Sequence, residues 1–432
     1  MENLSDDLLM EIWSRVPYKM TVRCKSVSKR FSAFISRPEF MSRSISHYHT
    51  LLQHMNQEQH HKEWCLNFVS KRNLLIVFLP KLHLLNPQSQ NQLSLSFLGR
   101  KFDPKLDDER KKSALYSRIV GYSNGLLLCK KTSRGRVYHV TNPMTREWTK
   151  LPLPPPPLTG HNQRDCVFEG FVCEPFYQVE ANNVVTLNSH NRFRVVRFPW
   201  LNDRVFSHTP KFEFEMVVFS SETGQWCRKT VSCPKGFVQT DILIHAVAHR
   251  GRLYFMGRMD LLVYDPFNND AHQCCHTIDY PIHSPYPRDL PFTGHVGVSC
   301  GNIRIANISC SFDPHVLNTM TVWELEYQDD SSCCCWHLVH KTFIPGQDRR
   351  SCIRPEFETR RECETVDLGM QVRAFHPHHG DVVFFQRSHS IFCGNLRTNQ
   401  FDTVGYGIHG FQVLQIISID LPGWPAPVPS IT

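Results

Sequence analysis

Three stretches of this chain follow one grammar, and that repetition limits the folds open to it. They are GYSNGLLLCKKTSRGRVYHVTNPMTREWTKLP (121–152), AHRGRLYFMGRMDLLVYDPFNNDAHQC (248–274) and HPHHGDVVFFQRSHSIFCGNLRTNQFDTVG (376–405). Each runs from a glycine through an apolar strand, a polar turn and a second apolar strand to a tight turn near Asn or Asp, usually followed by an aromatic residue. The glycines are Gly125, Gly251 and Gly380, separated by 126 residues (251 − 125) and 129 residues (380 − 251). Each interval is about three times 42, and repeats of roughly 40–50 residues are the signature of propeller blades. Weaker copies lie between: FEFEMVVFSSETGQWCRKT (212–230), with its turn at Glu222-Thr223-Gly224, and TVWELEYQDDSSCCCWHLVHK (321–341). Some runs alternate apolar and polar residues and others are continuously apolar, as in sheets packed face to face. The pattern predicts a β-propeller of six to eight blades. A large two-sheet sandwich is the rival, but radial closure leaves fewer exposed edges over so long an all-β region.

A chain of 432 residues has room for such a ring plus a small appendage. Its formal charge of +8 is modest for this size. The most charged stretch, RKFDPKLDDERKK (100–112), mixes both signs, so it reads as a solvated loop and no nucleic-acid partner is expected. The longest apolar run, LLIVFLPKLHLL (74–85), is too short and interrupted for a membrane span. The opening MENLSDD lacks the basic-then-apolar pattern of a secretory leader, which places the expected location in the cytoplasm or nucleus, with reduced thiols. The 17 cysteines are odd in number and include no Cys-x-x-Cys pair, so no disulfide framework or zinc ribbon is expected. Cys333-Cys334-Cys335 would point alternately to opposite faces of a strand. His376, His378 and His379 in FHPHHGD read as a polar loop before a strand. No metal site and no cofactor are expected.

The amino-terminal segment changes period. In LSDDLLMEIWSRVP (4–17), Ser5 is a good N-cap, and Asp6 and Asp7 sit where the helix dipole is positive. Leu8, Ile12 and Val16 repeat every four residues, with Leu9 and Trp13 beside them, a broad apolar stripe that Pro17 ends. A short middle helix is expected over Met20–Lys25. Val27, Phe31, Phe34 and Ile35 then mark another helical face, which Pro38 stops. Three short helices in about forty residues bury too little to stand alone. The stripe on the first is wider than two short neighbours can cover. It must either dock on the rest of its own chain or be offered to a second protein as a helix-in-groove anchor. Periodicity leaves both open.

This segment resembles an F-box, whose members read Leu-Pro-x-Asp-Leu-x-x-Glu-Ile-Leu-x-Arg-Leu-Pro, then Lys-x-Leu-x-Arg, Val-Cys-Lys-x-Trp and Pro-x-Phe. The chain supplies Leu4, Asp7, Leu8, Glu11, Ile12, Arg15, Val16 and Pro17, then Lys19, Val22, Arg23, Val27, Lys29, Phe31, Ile35, Pro38 and Phe40. It departs at Ser5 for proline, Trp13 for leucine, Ser28 for cysteine and Phe31 for tryptophan. The resemblance implies binding to a Skp-type adaptor, and through it to a cullin–RING ubiquitin ligase. The residues it places against the adaptor are Leu4, Leu8, Ile12, Val16, Pro17 and Val22, while Phe31 and Ile35 fit an internal core equally well. The β-region resembles the F-box-associated domain of large plant families, related to kelch propellers. The resemblance rests on Gly125-Leu126-Leu127-Leu128, Asn142-Pro143, Trp148-x-x-Leu-Pro, Val263-Tyr264-Asp265-Pro266 and Ser220-Ser221-x-Thr223-Gly224-x-Trp226, though the double glycine of strict kelch repeats is missing. It implies that Trp148 and Trp226 pack blades. LPLPPPPL (151–158) reads as a stiff inter-blade connector, or else as a polyproline ligand, and the proline-rich end as a loose or surface-pinned tail.

The expected organisation is a three-helix F-box unit over 1–45, a linker over 46–64, a propeller over 65–415 and a tail over 416–432. Walker loops and zinc-protease helices do not occur in the sequence. Asp107-Asp108 and Asp329-Asp330 are sequence neighbours in polar turns, which does not define a catalytic pair. The expected function is therefore non-catalytic: the substrate-recognition subunit of a Skp–cullin–F-box ligase, recruiting an unidentified target protein through the propeller. A propeller-based enzyme or carbohydrate-binding protein, and an F-box scaffold acting outside the ligase, are the alternatives.

Overall fold

Each repeat closes into its own sheet before it meets its neighbours. The computed structural model describes residues 4–25, 27–54, 64–70, 75–78, 117–131, 137–156, 167–199, 209–239, 246–281, 294–309, 319–327, 334–343, 370–387, 390–406, 413–420, 424–429 and 431. Four helices come first: α1 (Asp6–Trp13), α2 (Tyr18–Cys24), α3 (Lys29–Ile35) and α4 (Pro38–His54). Strands β1 (Trp64–Ser70) and β2 (Leu75–Phe78) follow. The first four-stranded blade is β3 (Ser117–Ser123), β4 (Leu126–Lys131), β5 (Tyr138–Thr141) and β6 (Trp148–Lys150). The second is β7 (Val167–Cys173), β10 (Phe193–Pro199), β11 (Lys211–Ser220) and β12 (Gln225–Phe237), with the hairpin β8 (Tyr177–Val179) and β9 (Val185–Leu187) inserted after its first strand. The third is β13 (Val247–His249), β14 (Arg252–Met256), β15 (Asp260–Tyr264) and β16 (Cys275–Asp279). The fourth is β17 (His295–Ser299), β18 (Asn302–Ser309), β19 (Thr319–Tyr327) and β20 (Cys334–Phe343). The fifth is β21 (Met370–Phe375), β22 (Val382–Arg387), β23 (Ser390–Asn395) and β24 (Gln400–Tyr406). Finally β25 (Val413–Asp420) returns to pair antiparallel with β1, giving a three-stranded sheet in the order β2-β1-β25.

The strands β3, β7, β13, β17, β21 and β25 lie side by side in that order, each touching the next. The architecture is mainly β, a propeller preceded by a helical unit. Among the described residues it has five four-stranded blades, not the six to eight expected. The expectation assumed an even spacing, and the second blade breaks it. That blade occupies residues 167–237 because the β8–β9 hairpin is spliced into it. The cores lie between successive blades. Val120, Leu128 and Val140 of the first pack with Phe171, Phe193 and Phe219 of the second. Phe198 and Phe214 of the second meet Phe255 and Leu262 of the third in the same way.

The turn grammar has a physical basis. Asn124-Gly125, Arg250-Gly251 and Cys300-Gly301 join the first two strands of the first, third and fourth blades, and both residues of each pair have positive φ, between 46° and 82°. A two-residue hairpin of this twist needs that conformation, which glycine adopts without cost. Gly380 is not a fourth member, since it lies outside the left-handed region. It is glycine for another reason: a Cβ there would come within 2.7 Å of the Arg304 guanidinium, which donates to its carbonyl at 2.6 Å. The turns near Asn and Asp are also one device repeated. Asn142, Asp265 and Asn395 each accept, at 2.8–3.3 Å, the backbone N–H groups two and three residues on.

Large aromatics join blades, as expected of Trp226. Its indole N–H donates to the Pro152 carbonyl at 2.8 Å, and its ring packs on Tyr138 and Phe219. Trp336 repeats the bond two blades on, to the Asp279 carbonyl at 2.8 Å. Arg228 donates to the Pro156 carbonyl at 2.8 Å, so residues 151–156 form a connector laid against the second blade. Trp148 stands edge-on to His139 of its own blade. Cys334 is half-buried and Cys335 exposed, on opposite faces of β20. FHPHHGD forms the turn between β21 and β22. Residues 100–112, Asp107-Asp108, Asp329-Asp330, Cys333 and most of 74–85 lie outside the described residues. Among the described residues, no helix is long and apolar enough to cross a membrane, and no cluster of three metal-ligating side chains occurs.

One carboxyl is held against its chemistry. Asp260 opens β15 opposite Asp279 of β16, and its buried Oδ1 has no hydrogen-bond partner. Burial, then the nearby Asp279 charge, pushes its pKa from 3.8 up to about 7. The unfolded chain releases this proton at lower pH than the folded chain does. The contribution of Asp260 to stability therefore shrinks as pH rises from about 4 to about 7 and stays low above that. Asp260→Asn removes the penalty. Its urea midpoint should exceed the parent's at pH 8, by roughly 2–4 kcal/mol in unfolding free energy, with the gap closing toward pH 4. A gap that does not change with pH would contradict this account of Asp260.

Candidate protein-binding interface

The helical unit has two apolar faces with different fates. Ser5 caps α1 as expected, its Oγ accepting from the Leu8 N–H at 3.4 Å. Asp6 accepts from Arg30 at 3.2 Å and Arg37 at 2.8 Å, which ties α1 to α3 and its C-terminal turn, and these guanidinium contacts hold its carboxyl below the usual range. The helix is shorter than its sequence stripe. It ends at Trp13, and tighter turns carry Arg15 and Val16, whose N–H groups donate to the carbonyls of Ile12 and Trp13. Toward the inside, Leu9 packs with Phe34, Ile35, Phe40 and Ile45. Trp13 sits at the edge of this core, edge-on to Phe31 at 5.3 Å. A tryptophan in place of the usual leucine therefore faces inward against the Phe31 that replaces the usual tryptophan.

Toward the outside, Leu8 and Ile12, one turn apart, are 52% and 51% exposed. Pro17 is also exposed, while Leu4, Val16 and Val22 are half-buried, with Leu4 leaning on the inner core. Two residues absent from the expected set are exposed as well: Met20, 54%, and Val27, 71%. The sequence spacing puts Val27 on the apolar face of the next helix. It lies before that helix instead, because Ser28 is the N-cap and accepts from the Phe31 N–H at 3.2 Å. The serine three residues before Phe31, where the apolar run of this helix starts, was the available signal.

The inner core is finished by the propeller. α4 begins at Pro38 and runs to His54, through the boundary expected at residue 45 and into the expected linker. It lies against β9: the Ser46 hydroxyl donates to the Asn183 carbonyl at 3.1 Å, and His49 stands edge-on to Tyr177 at 6.2 Å. Phe176, Val179, Val185 and Leu187 of the hairpin region pack on the same core. So does Trp424 from the carboxy-terminal tail, 5% exposed and 6.2 Å from the Phe40 ring. Two residues on, Ala426 is buried among the first two blades. Asn142 donates to its carbonyl at 2.6 Å, and Asn191 donates to the Pro427 carbonyl at 3.1 Å. The tail is pinned, not loose.

Both fates left open by the sequence are thus realised, on opposite sides of one small bundle. The inner side docks on its own chain and the outer side stays uncovered. Glu11, between the faces, pairs with Arg15 and Arg43. These pairs are exposed and add little to stability. The arrangement presents an apolar helix face on a fixed base.

Comparison with known proteins gives this geometry a family. Residues 98–409 match the model of the F-box protein At3g26010-like β-propeller. The chain belongs to that family. F-box protein At5g07610 of Arabidopsis thaliana is 30% identical over 344 residues, 76% of this chain and 68% of that protein. F-box protein At3g26010 of the same plant is 24% identical over 353 residues, 80% of this chain and 69% of that protein. F-box protein At5g49610, also from Arabidopsis, is 28% identical over 229 residues, so the chain spans about half the length of that relative. In this F-box family member the family match covers the blades, while the helical unit is recognised through its own residues.

The docking contact can be tested directly. Trp424→Ala should lower unfolding free energy by about 3–5 kcal/mol, as expected for deleting a buried tryptophan. Limited proteolysis should then release the helical unit before the blades are cut. A variant that melts and digests like the parent would show that Trp424 does not hold the two parts together.

Proposed function

We propose that this F-box propeller is the substrate-recognition subunit of a Skp–cullin–F-box ubiquitin ligase. The helical unit would hold a Skp-type adaptor, and the propeller would hold a target protein. One observation carries the proposal: α1 leaves Leu8 and Ile12 in solvent although the bundle has a completed core on its other side. Large exposed apolar residues on one helix face are a binding surface in search of a groove. Leu4, Val16, Pro17 and Val22 would line its margin, and Met20 and Val27 would extend it.

The mechanism needs no covalent chemistry from this chain. A receptor acts by proximity, raising the effective concentration of a target lysine near a ubiquitin carrier. A fixed angle between adaptor face and propeller serves that task, because a swivelling joint would dilute the local concentration. The site of action would be the cytoplasm or nucleus. The chain is not proposed as an enzyme.

Full-length protein should co-purify with a Skp-type adaptor and, through it, with a cullin. Leu8→Asp with Ile12→Asp should weaken adaptor capture by at least about 100-fold, since two buried aliphatic contacts are lost. The propeller, and hence the melting temperature, should be nearly unchanged. Equal capture by parent and variant, or capture by neither, would overturn the proposal. Adaptor capture without cullin would support a scaffold instead.

A further inference from the structure

The proline-rich stretch that leaves the first blade is fixed in place yet largely in solvent. Its described part, 151–156, follows β6, the outer strand of that blade, and lies along β12, the outer strand of the second. A proline follows each of Leu151, Leu153, Pro154, Pro155 and Pro156, which biases their backbone to extended, polyproline-type angles. A polyproline helix repeats every three residues, and the burial here has that period. Leu151 and Pro154 are buried, Pro152, Leu153 and Pro156 are exposed, and Pro155 is half-buried. One edge of the helix, 151 with 154, therefore sits on the blades, where Leu151 joins the core with Phe171 and Phe219. The other two edges, 152 with 155 and 153 with 156, are wholly or partly open, and Leu153 is 65% exposed.

The anchors come from alternate residues of β12, which share one face of that strand. The Trp226 indole N–H and the Arg228 guanidinium donate to the carbonyls of Pro152 and Pro156, each at 2.8 Å. These bonds grip the ends of the stretch, and neither uses the carbonyls of Leu153, Pro154 or Pro155 between them.

We propose that this stretch is a ligand as well as a connector: it is a docking site for a protein domain with an aromatic-lined polyproline groove and an acidic rim. Such grooves take a left-handed extended segment with apolar side chains at a three-residue spacing. Pro152 with Pro155, and Leu153 with Pro156, supply that spacing on two adjacent open edges. Anchoring on the blade has already met the ordering cost that a free segment would meet on binding. Charge sets the rim. Glu215 pairs with Arg228 beneath the far end at 2.7 Å, while exposed Lys150 stands directly before the near end and presents a cation beside the open edges. Arg146 and Glu147, exposed in the preceding turn, carry opposite signs. The inference goes beyond the ligase reading and holds whether or not α1 binds an adaptor.

Its test leaves the adaptor out. Purified SH3, WW and EVH1 domains are first titrated with a synthetic peptide spanning residues 149–159, and a domain that binds it becomes the probe. The probe should bind the full-length chain at least as tightly as it binds the peptide. Leu153→Asp in the full-length chain should weaken binding by at least about 10-fold, as expected for losing one buried leucine contact. Lys150→Glu should weaken it by about 3-fold, and by less as salt is added. Both positions are exposed, so the melting temperature should stay that of the parent. Leu338→Asp, at an exposed leucine of the fourth blade, should leave binding unchanged. A probe that takes the peptide and not the full-length chain would overturn the proposal, because the blade would then cover an edge that the groove needs. Failure of all three domains to bind the peptide would do the same, as would equal binding by the parent and Leu153→Asp chains.

Discussion

Everything distinctive about this molecule depends on the pairing of β25 with β1. Leu66 stands opposite Ser418 and Phe68 opposite Ile416, so strands from the two ends of the chain share one sheet. Closing a loop of that length costs chain entropy, but the cost grows only slowly with length. In return β1 gains a second partner and stops presenting an open edge. The pairing also brings the two flanks of the ring to one place. The helices enter just before β1, and Trp424 follows β25 by four residues, close enough to reach Phe40.

That convergence explains how a bundle too small to fold well by itself keeps an apolar face uncovered. A lone three-helix unit would have to bury Leu8 and Ile12 or stay marginal. Here the missing core volume comes from Trp424 and from the β8–β9 hairpin, both on the inner side. The outer side is relieved of structural duty and can be kept for a partner. The hairpin is what upset the even blade spacing, and it is also what α4 rests on. The irregularity in the repeat therefore has a structural use.

Much of this was legible in the residues, and the failures have causes. Ser5, Asp6 and Leu8 announced a capped amphipathic helix, because caps and periodicity are local properties. Gly125 and Gly251 marked the start of apolar strands for the same reason. Gly380 also precedes an apolar strand, β22, but it lies outside the left-handed region and beside Arg304, which only three-dimensional structure reports. Val27 fitted a helical period while lying outside the helix, since spacing cannot place an N-cap. Blade count failed because equal spacing ignores insertions. Trp424 in LPGWPAPVPS looked like part of a loose or surface-pinned tail. Its burial depends on long-range pairing that no local pattern reports.

The central claim is that the bundle is held on the ring by its inner face and is free on its outer face. Hydrogen exchange on the full-length chain without partners tests it most directly. The account predicts that amides of α4 and of the β8–β9 hairpin exchange as slowly as those of the blades, and that added Skp-type adaptor slows α1 while leaving α4 unchanged. Fast exchange across α4 beside protected blades would contradict it, because the bundle would then be a separate, unsupported unit.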